Sequence, residues 1–164
     1  MKIDRRSFLA FGGAAAVTGV AVTMHGRVDA DPAPGRFPYR LSDAQWRARL
    51  NPSQYAVLRQ ASTERAGSSP LDREHRRGTF ACAGCGNRLF ASTTKFDSGT
   101  GWPSFYRPLP GAIVTRADSS GFMRRTEVLC ARCGGHLGHV FNDGPQPTGL
   151  RYCMNGVAMT FRAA

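Results

Sequence analysis

Four scarcities limit what this chain of 164 residues can be. No uncharged apolar run reaches the roughly 20 residues a membrane-spanning helix needs; the run from Leu9 to Met24 stops short of that and is rich in alanine and glycine. No helix-length periodic segment follows residue 70, which excludes a helical bundle. There are no internal repeats beyond a duplicated pair of cysteines, which excludes a solenoid. Lysine is nearly missing: of 22 basic residues only Lys2 and Lys95 are not arginine. The net charge of +11 permits contact with nucleic acid, an anionic membrane or an acidic protein, and chooses none of them. The length suits a single domain.

The first thirty residues read as an address. Lys2, Arg5 and Arg6 form a basic start, the apolar run follows, and Val28-Asp29-Ala30 offers small residues for cleavage. Arg5-Arg6 before Ser7-Phe8-Leu9 resembles the twin-arginine export signal. The expected division is a signal peptide over 1–30, a breaker-rich linker over 31–40 and a catalytic domain over 41–164. On this reading the mature protein is soluble and exported, periplasmic or otherwise extracytoplasmic, and does not meet nucleic acid.

Within the domain, Ser42 or Asp43 can cap a short helix carrying Trp46 and Leu50. Asn51-Pro52-Ser53-Gln54 combines an N-cap, a proline at the first helical position and a capping-box glutamine ahead of Tyr55, Val57 and Leu58. From Gly78 onward, short β-branched and aromatic segments are broken by Gly, Pro, Asp and Ser. Strands are expected at Thr79–Ala81, Arg88–Phe90, Ala112–Thr115, Phe122–Arg124, Arg125–Leu129, Val140–Phe141 and Leu150–Asn155. The fold class is therefore mainly β, with short antiparallel strands covered by short N-terminal helices.

Five cysteines are present, an odd number. Cys82-x-x-Cys85 and Cys130-x-x-Cys133 are each followed by glycine, which lets the backbone wrap a metal closely. Four thiolates with no open position describe a structural zinc site of the all-cysteine kind. Two disulfides are the plainer alternative but leave the trailing glycines without a purpose, and an iron centre fits the same four ligands. Cys153 is left over. If Arg151 to Asn155 is a strand, Arg151, Cys153 and Asn155 share one face, and a cation beside a thiol favours the thiolate. A small buried hydrophobe is the plainer fate for a lone cysteine.

The stretch Lys95 to Phe105 holds Trp102 and Phe105 in a loop tightened by Gly99, Gly101 and Pro103. It reads either as core or as an aromatic wall for an apolar substrate group. His136 and His139 follow the second cysteine pair, and Asp143-Gly144-Pro145 makes a turn. With thiolates saturating the metal, a ligand role for these histidines ranks below packing or acid–base work.

Taken together, the Cys-x-x-Cys-Gly pairs, KFDSGTGWPSF over 95–105, HLGHVF over 136–141, Asp143-Gly144-Pro145 and GLRYCMN over 149–155 resemble the methionine-R-sulfoxide reductase B family. That resemblance implies two antiparallel sheets stabilised by one structural zinc ion at Cys82, Cys85, Cys130 and Cys133. It implies Cys153 as the nucleophile on the sulfoxide sulfur, with His139 and Asn155 orienting and protonating the oxygen. His136, Asp143 and Arg151 would support them, and Trp102 and Phe105 would bind the substrate. The implied partners are oxidised proteins or peptides carrying methionine-R-sulfoxide and a thioredoxin-like or other thiol reductant, acting on a monomer. Two departures stand out. Thr100 occupies the loop where many family members carry a resolving cysteine, which implies a one-cysteine cycle through a sulfenic acid. The loop Ala66-Gly67-Ser68-Ser69 also lacks the residues expected at the substrate entrance. Outside the resemblance, an exported zinc-binding module and an iron electron carrier remain as competing functions.

Overall fold

Both N-terminal helices are punctuated by side-chain caps. Helix α1 (Asp43–Arg49) is capped by Ser42, whose Oγ accepts from the Gln45 amide at 3.2 Å while Gln45 Oε1 accepts from the Ser42 amide at 2.8 Å. Helix α2 (Pro52–Gln60) repeats the device with Asn51 and Gln54, and such a cap contributes about 1 kcal/mol. Helix α2 buries Tyr55, Val57 and Leu58 beneath it.

The computed structural model describes residues 37–120 and 124–164. The expected signal over 1–30, most of the 31–40 linker and the Phe122–Met123 part of one strand lie outside these residues. No helix among the described residues is long and apolar enough to cross a membrane.

Among the described residues, nine strands form two antiparallel sheets. The smaller places β1 (Gly78–Cys82) between β2 (Arg88–Ala91) and β9 (Met159–Ala163). The larger comprises β3 (Lys95–Phe96), β4 (Ser104–Phe105), β5 (Ile113–Asp118), β6 (Arg125–Cys130), β7 (His136–Phe141) and β8 (Arg151–Met154). Its spatial order is β3-β4-β8-β7-β6-β5. The mainly β reading with short helices therefore holds. The strand expected at Ala112–Thr115 instead runs from Ile113 to Asp118, because its outer residues gain their partners only from β6. Pairing likewise extends Val140–Phe141 back to His136, across a histidine and glycine run with little β propensity of its own.

The core is aromatic. Phe90 and Phe105 stack with centroids 4.3 Å apart, and Phe80 meets Phe105 edge-on at 4.9 Å. All three are fully buried, with Leu89, Leu137 and Met154 beside them.

One irregularity positions the chemistry. His136 and His139 are three residues apart, and a regular strand would send them to opposite faces. The pairing of β6 with β7 slips instead, so that Val128 faces Gly138 but Leu129 faces His136, and Leu137 is the extra residue of a β-bulge. The bulge returns His136 to the face of His139. It also brings backbones so close that a Cβ on Gly138 would collide with the Cys153 carbonyl oxygen.

Candidate active site and metal centre

Sheet register sets the site. Across all six strands of the larger sheet run the directly paired residues Phe96, Ser104, Cys153, His139, Glu127 and Arg116. Paired residues project to the same face, so the lone thiol, a histidine, a carboxylate and a guanidinium follow one another in a row. Phe141 and Arg151, and then Asp118 and Arg125, form cross-strand pairs next to that row.

Cys153 opens into a cleft of about 140 Å³ lined by Thr63, Trp102, Arg125, Gly138, His139, Phe141 and Asn155. The volume suits one unbranched side chain. A larger cavity of about 480 Å³ lies next to it between α2 and the 62–70 loop and shares Thr63, but contains neither thiol nor imidazole. The smaller cleft is where chemistry can occur.

Of the residues expected from sequence, Cys153, His139, Asn155 and Trp102 meet in this cleft. Asn155 is held rigidly: Oδ1 accepts from the Glu64 amide at 2.9 Å and Nδ2 donates to the Leu137 carbonyl at 3.1 Å. Its second Nδ2 hydrogen is left for the cleft. The Trp102 indole N–H donates to the Glu64 carbonyl at 3.2 Å. Asp143 and Arg151 form a two-pronged pair at 2.7 and 2.8 Å, and Arg151 covers Phe141 at 4.4 Å. The pair lies along the Thr100 side of the thiol, where the Thr100 hydroxyl approaches Cys153 Sγ at 3.8 Å.

Phe105 and His136 do not line the cleft itself. Phe105 lies one position along β4 from Ser104, which pairs with Cys153, so it projects to the opposite face and is core, not substrate wall. Phe141 supplies the second aromatic surface of the cleft instead. His136 does not line the cleft; it is buried behind it, its Nδ1 2.7 Å from Glu127 Oε1 and its ring 5.4 Å from that of His139.

Four further residues were not legible in advance. Glu127 accepts from Arg116 at 2.6 and 2.8 Å and bonds His136. Burial pushes its carboxyl up, but the His136 and Arg116 bonds outweigh that and leave it low. Glu64, in the loop after α2, receives the Gly156 and Val157 amides at 2.5 and 3.0 Å and so braces the chain just beyond β8. Asp118 and Arg125 stand beside His139 at 2.7 Å and in the cleft wall, respectively. Ser120 engages one oxygen of Asp118 locally, and sheet pairing brings His139 and Arg125 to the other.

At the other end of the sheets, Cys82, Cys85, Cys130 and Cys133 are buried with their sulfurs all within 4.8 Å of one another. Cys82 and Cys133 are 3.7 Å apart, and Cys85 and Cys130 are 3.6 Å apart. A tetrahedral zinc with sulfur ligands at about 2.3 Å sets its sulfurs roughly 3.8 Å from each other, so the donor set fits a metal ion. All five cysteines are free thiols, which does not match the disulfide alternative. Three arginines hold the knuckle backbones: Arg49 on the Gly84 carbonyl at 2.6 Å, Arg132 on that of Cys85 at 2.8 Å and Arg59 on that of Cys133 at 3.2 Å.

With the other four cysteines gathered in the quartet, Cys153 is the cysteine that lines the cleft, where its thiol meets an imidazole, a carboxamide and an indole. The SelR domain family matches residues 50–163. A peptide methionine sulfoxide reductase MsrB from Leptospira interrogans is 54% identical over 127 residues, 77% of this chain and 97% of that protein. One from Bradyrhizobium diazoefficiens is 59% identical over 119 residues, 72% of this chain and 86% of its own length. One from Methanosarcina barkeri is 53% identical over 122 residues, 74% of this chain and 86% of its own. The chain belongs to the SelR family of peptide methionine sulfoxide reductases.

Proposed function

We propose that this protein reduces the R epimer of methionine sulfoxide in oxidised proteins and peptides, with Cys153 as nucleophile. The observation that carries this reading is the placement of Cys153 in a cleft bounded by Trp102, Phe141, His139 and Asn155. The two aromatic faces suit a thioether methyl and stem, while imidazole and carboxamide suit the sulfoxide oxygen.

In the reaction the Cys153 thiolate attacks the sulfoxide sulfur, beside the Arg151 guanidinium that Asp143 holds in place. His139 gives a proton to the oxygen as its bond to the substrate sulfur breaks. The oxygen then passes to Cys153 as the sulfur–sulfur bond made in the attack breaks, leaving Cys153 oxidised by two electrons to a sulfenic acid and methionine reduced. Two external thiols then return Cys153 to the thiol, releasing water and their own disulfide. The Cys82, Cys85, Cys130 and Cys133 quartet would hold one structural zinc ion, which supplies stability and takes no part in the steps.

The deciding assay follows dabsyl-methionine-R-sulfoxide with dithiothreitol: turnover of the R epimer and not the S epimer is expected, and no turnover overturns the reading. After one equivalent of substrate without reductant, a sulfenic-acid probe is expected to label Cys153. An intramolecular disulfide found by mass spectrometry would end the one-cysteine cycle, for which the nearest candidate position holds Thr100.

The mature form is further proposed to act as a soluble monomer outside the cytoplasm, on the strength of Arg5-Arg6 and the apolar run behind them. Replacing both arginines with lysine is expected to retain the protein in the cytoplasmic fraction; export of that variant would remove the twin-arginine route.

A further inference from the structure

Asp118 is the residue the reaction above does not use, although it touches the imidazole assigned as acid. Its Oδ2 lies 2.7 Å from His139 Nε2 and accepts from Arg125 Nη2 at 2.9 Å. Its Oδ1 accepts from the Ser120 amide at 2.9 Å and the Ser120 hydroxyl at 2.5 Å. Both oxygens are thus fully engaged with donors. The Ser120 hydroxyl and the His139 ring hold the carboxyl far below the usual carboxylate range. An ionised carboxylate only accepts, so Nε2 carries the hydrogen of the shared bond. Nδ1 is then the nitrogen of His139 left to face a substrate in the cleft.

This has a chemical consequence. A neutral ring with its hydrogen on Nε2 offers only a lone pair at Nδ1, and it cannot protonate an oxygen. The acid must be the imidazolium. Burial works against that form and lowers the His139 pKa, with Arg125 and His136 acting in the same direction and Asp118 opposing them. The other charged or titratable groups on this face are Glu127 and Arg116 behind His136, and Arg151 and Cys153 on β8.

We propose that Asp118 is a positioning residue for the reductase reaction: anchored by Ser120 and Arg125, it fixes the His139 tautomer and sustains the imidazolium that delivers a proton from Nδ1 to the sulfoxide oxygen. This rests on the proposed function. It also assigns Arg125 two duties, since the arginine both clamps Asp118 and walls the cleft.

The test is Asp118→Asn, with Asp118→Glu as the conservative variant. The carboxamide can retain a hydrogen bond but not the charge. kcat is expected to fall about a hundredfold, with KM changed by less than a few fold. The alkaline limb of the kcat profile is expected to move about one pH unit lower, and Asp118→Glu is expected to restore much of the loss. An NMR titration of the His139 ring gives a readout independent of turnover: its pKa is expected to drop in Asp118→Asn by about the same unit. An unmoved His139 titration overturns the proposal even if activity is lost. A moved titration together with an unmoved kcat limb overturns the role in proton delivery. Failure of the wild-type protein to reduce the R epimer would instead strike the proposed function, and the titration distinguishes the two.

Discussion

Cys153→Ser is expected to fold as well as the native chain and to reduce no methionine sulfoxide, a loss of roughly 10⁴-fold or more in turnover. The argument has two halves. Chemically, a hydroxyl beside Arg151 does not ionise near neutrality, and an alcohol oxygen cannot accept the sulfoxide oxygen as a sulfenic acid does. Structurally, the contact between Cys153 Sγ and the Thr100 hydroxyl is a long one, at 3.8 Å, and the thiol is half-buried at a cleft wall. Its neighbours in β8, Tyr152 and Met154, carry the packing on the opposite face. The melting temperature is therefore expected to stay within a few degrees of the native value, as for other changes away from packed or strained positions. Retained turnover in this variant would remove Cys153 as nucleophile.

The contrast between readable and unreadable features has a physical cause. Caps, cysteine pairs and the face alternation of β8 are local, and short sequence intervals specify them. Asn51 with Gln54 forms the expected box, Ser42 is one of the two expected caps of the helix before it, and Arg151 and Cys153 share the expected face. What the sequence could not supply is which strand lies beside which. Ser104 and Phe105 look equivalent in the chain; pairing with Cys153 places one on the chemical face and the other in the core. His139 has no carboxylate beside it in the chain, and the pairings of β5 with β6 and of β6 with β7 together bring Asp118 and Arg125 to it. The bulge at Leu137 belongs to the same category, since alternation alone separates His136 from His139. Long-range register, and not local propensity, assembled the cluster of His139, Asp118 and Arg125.

Cys130→Ser is expected to give the opposite phenotype to Cys153→Ser: a chain that does not hold its fold. Cys82 and Cys85 close the turn between β1 and β2 in the smaller sheet, while Cys130 and Cys133 close the turn between β6 and β7 in the larger. A metal held by all four would tie one sheet to the other across a long span of chain. Structural zinc binding is worth on the order of 10 kcal/mol, comparable to the whole stability of a typical domain, about 5–15 kcal/mol. Removing one sulfur also leaves three buried thiols packed around a position built for four. Arg49, Arg59 and Arg132 would then hold their carbonyls on turns that no longer share a centre. The cooperative thermal transition and near-ultraviolet dichroism of the native protein are expected to disappear in Cys130→Ser. Native protein unfolded with a chelator is expected to refold only when zinc is returned, at one ion per chain. A Cys130→Ser protein melting within a few degrees of native would contradict a structural metal at this centre, and a coloured protein carrying iron would contradict zinc. Because Cys153 on β8 and Cys130 on β6 belong to one sheet, a folded but inactive variant beside an unfolded one would separate the sulfur that reacts from the sulfur that binds.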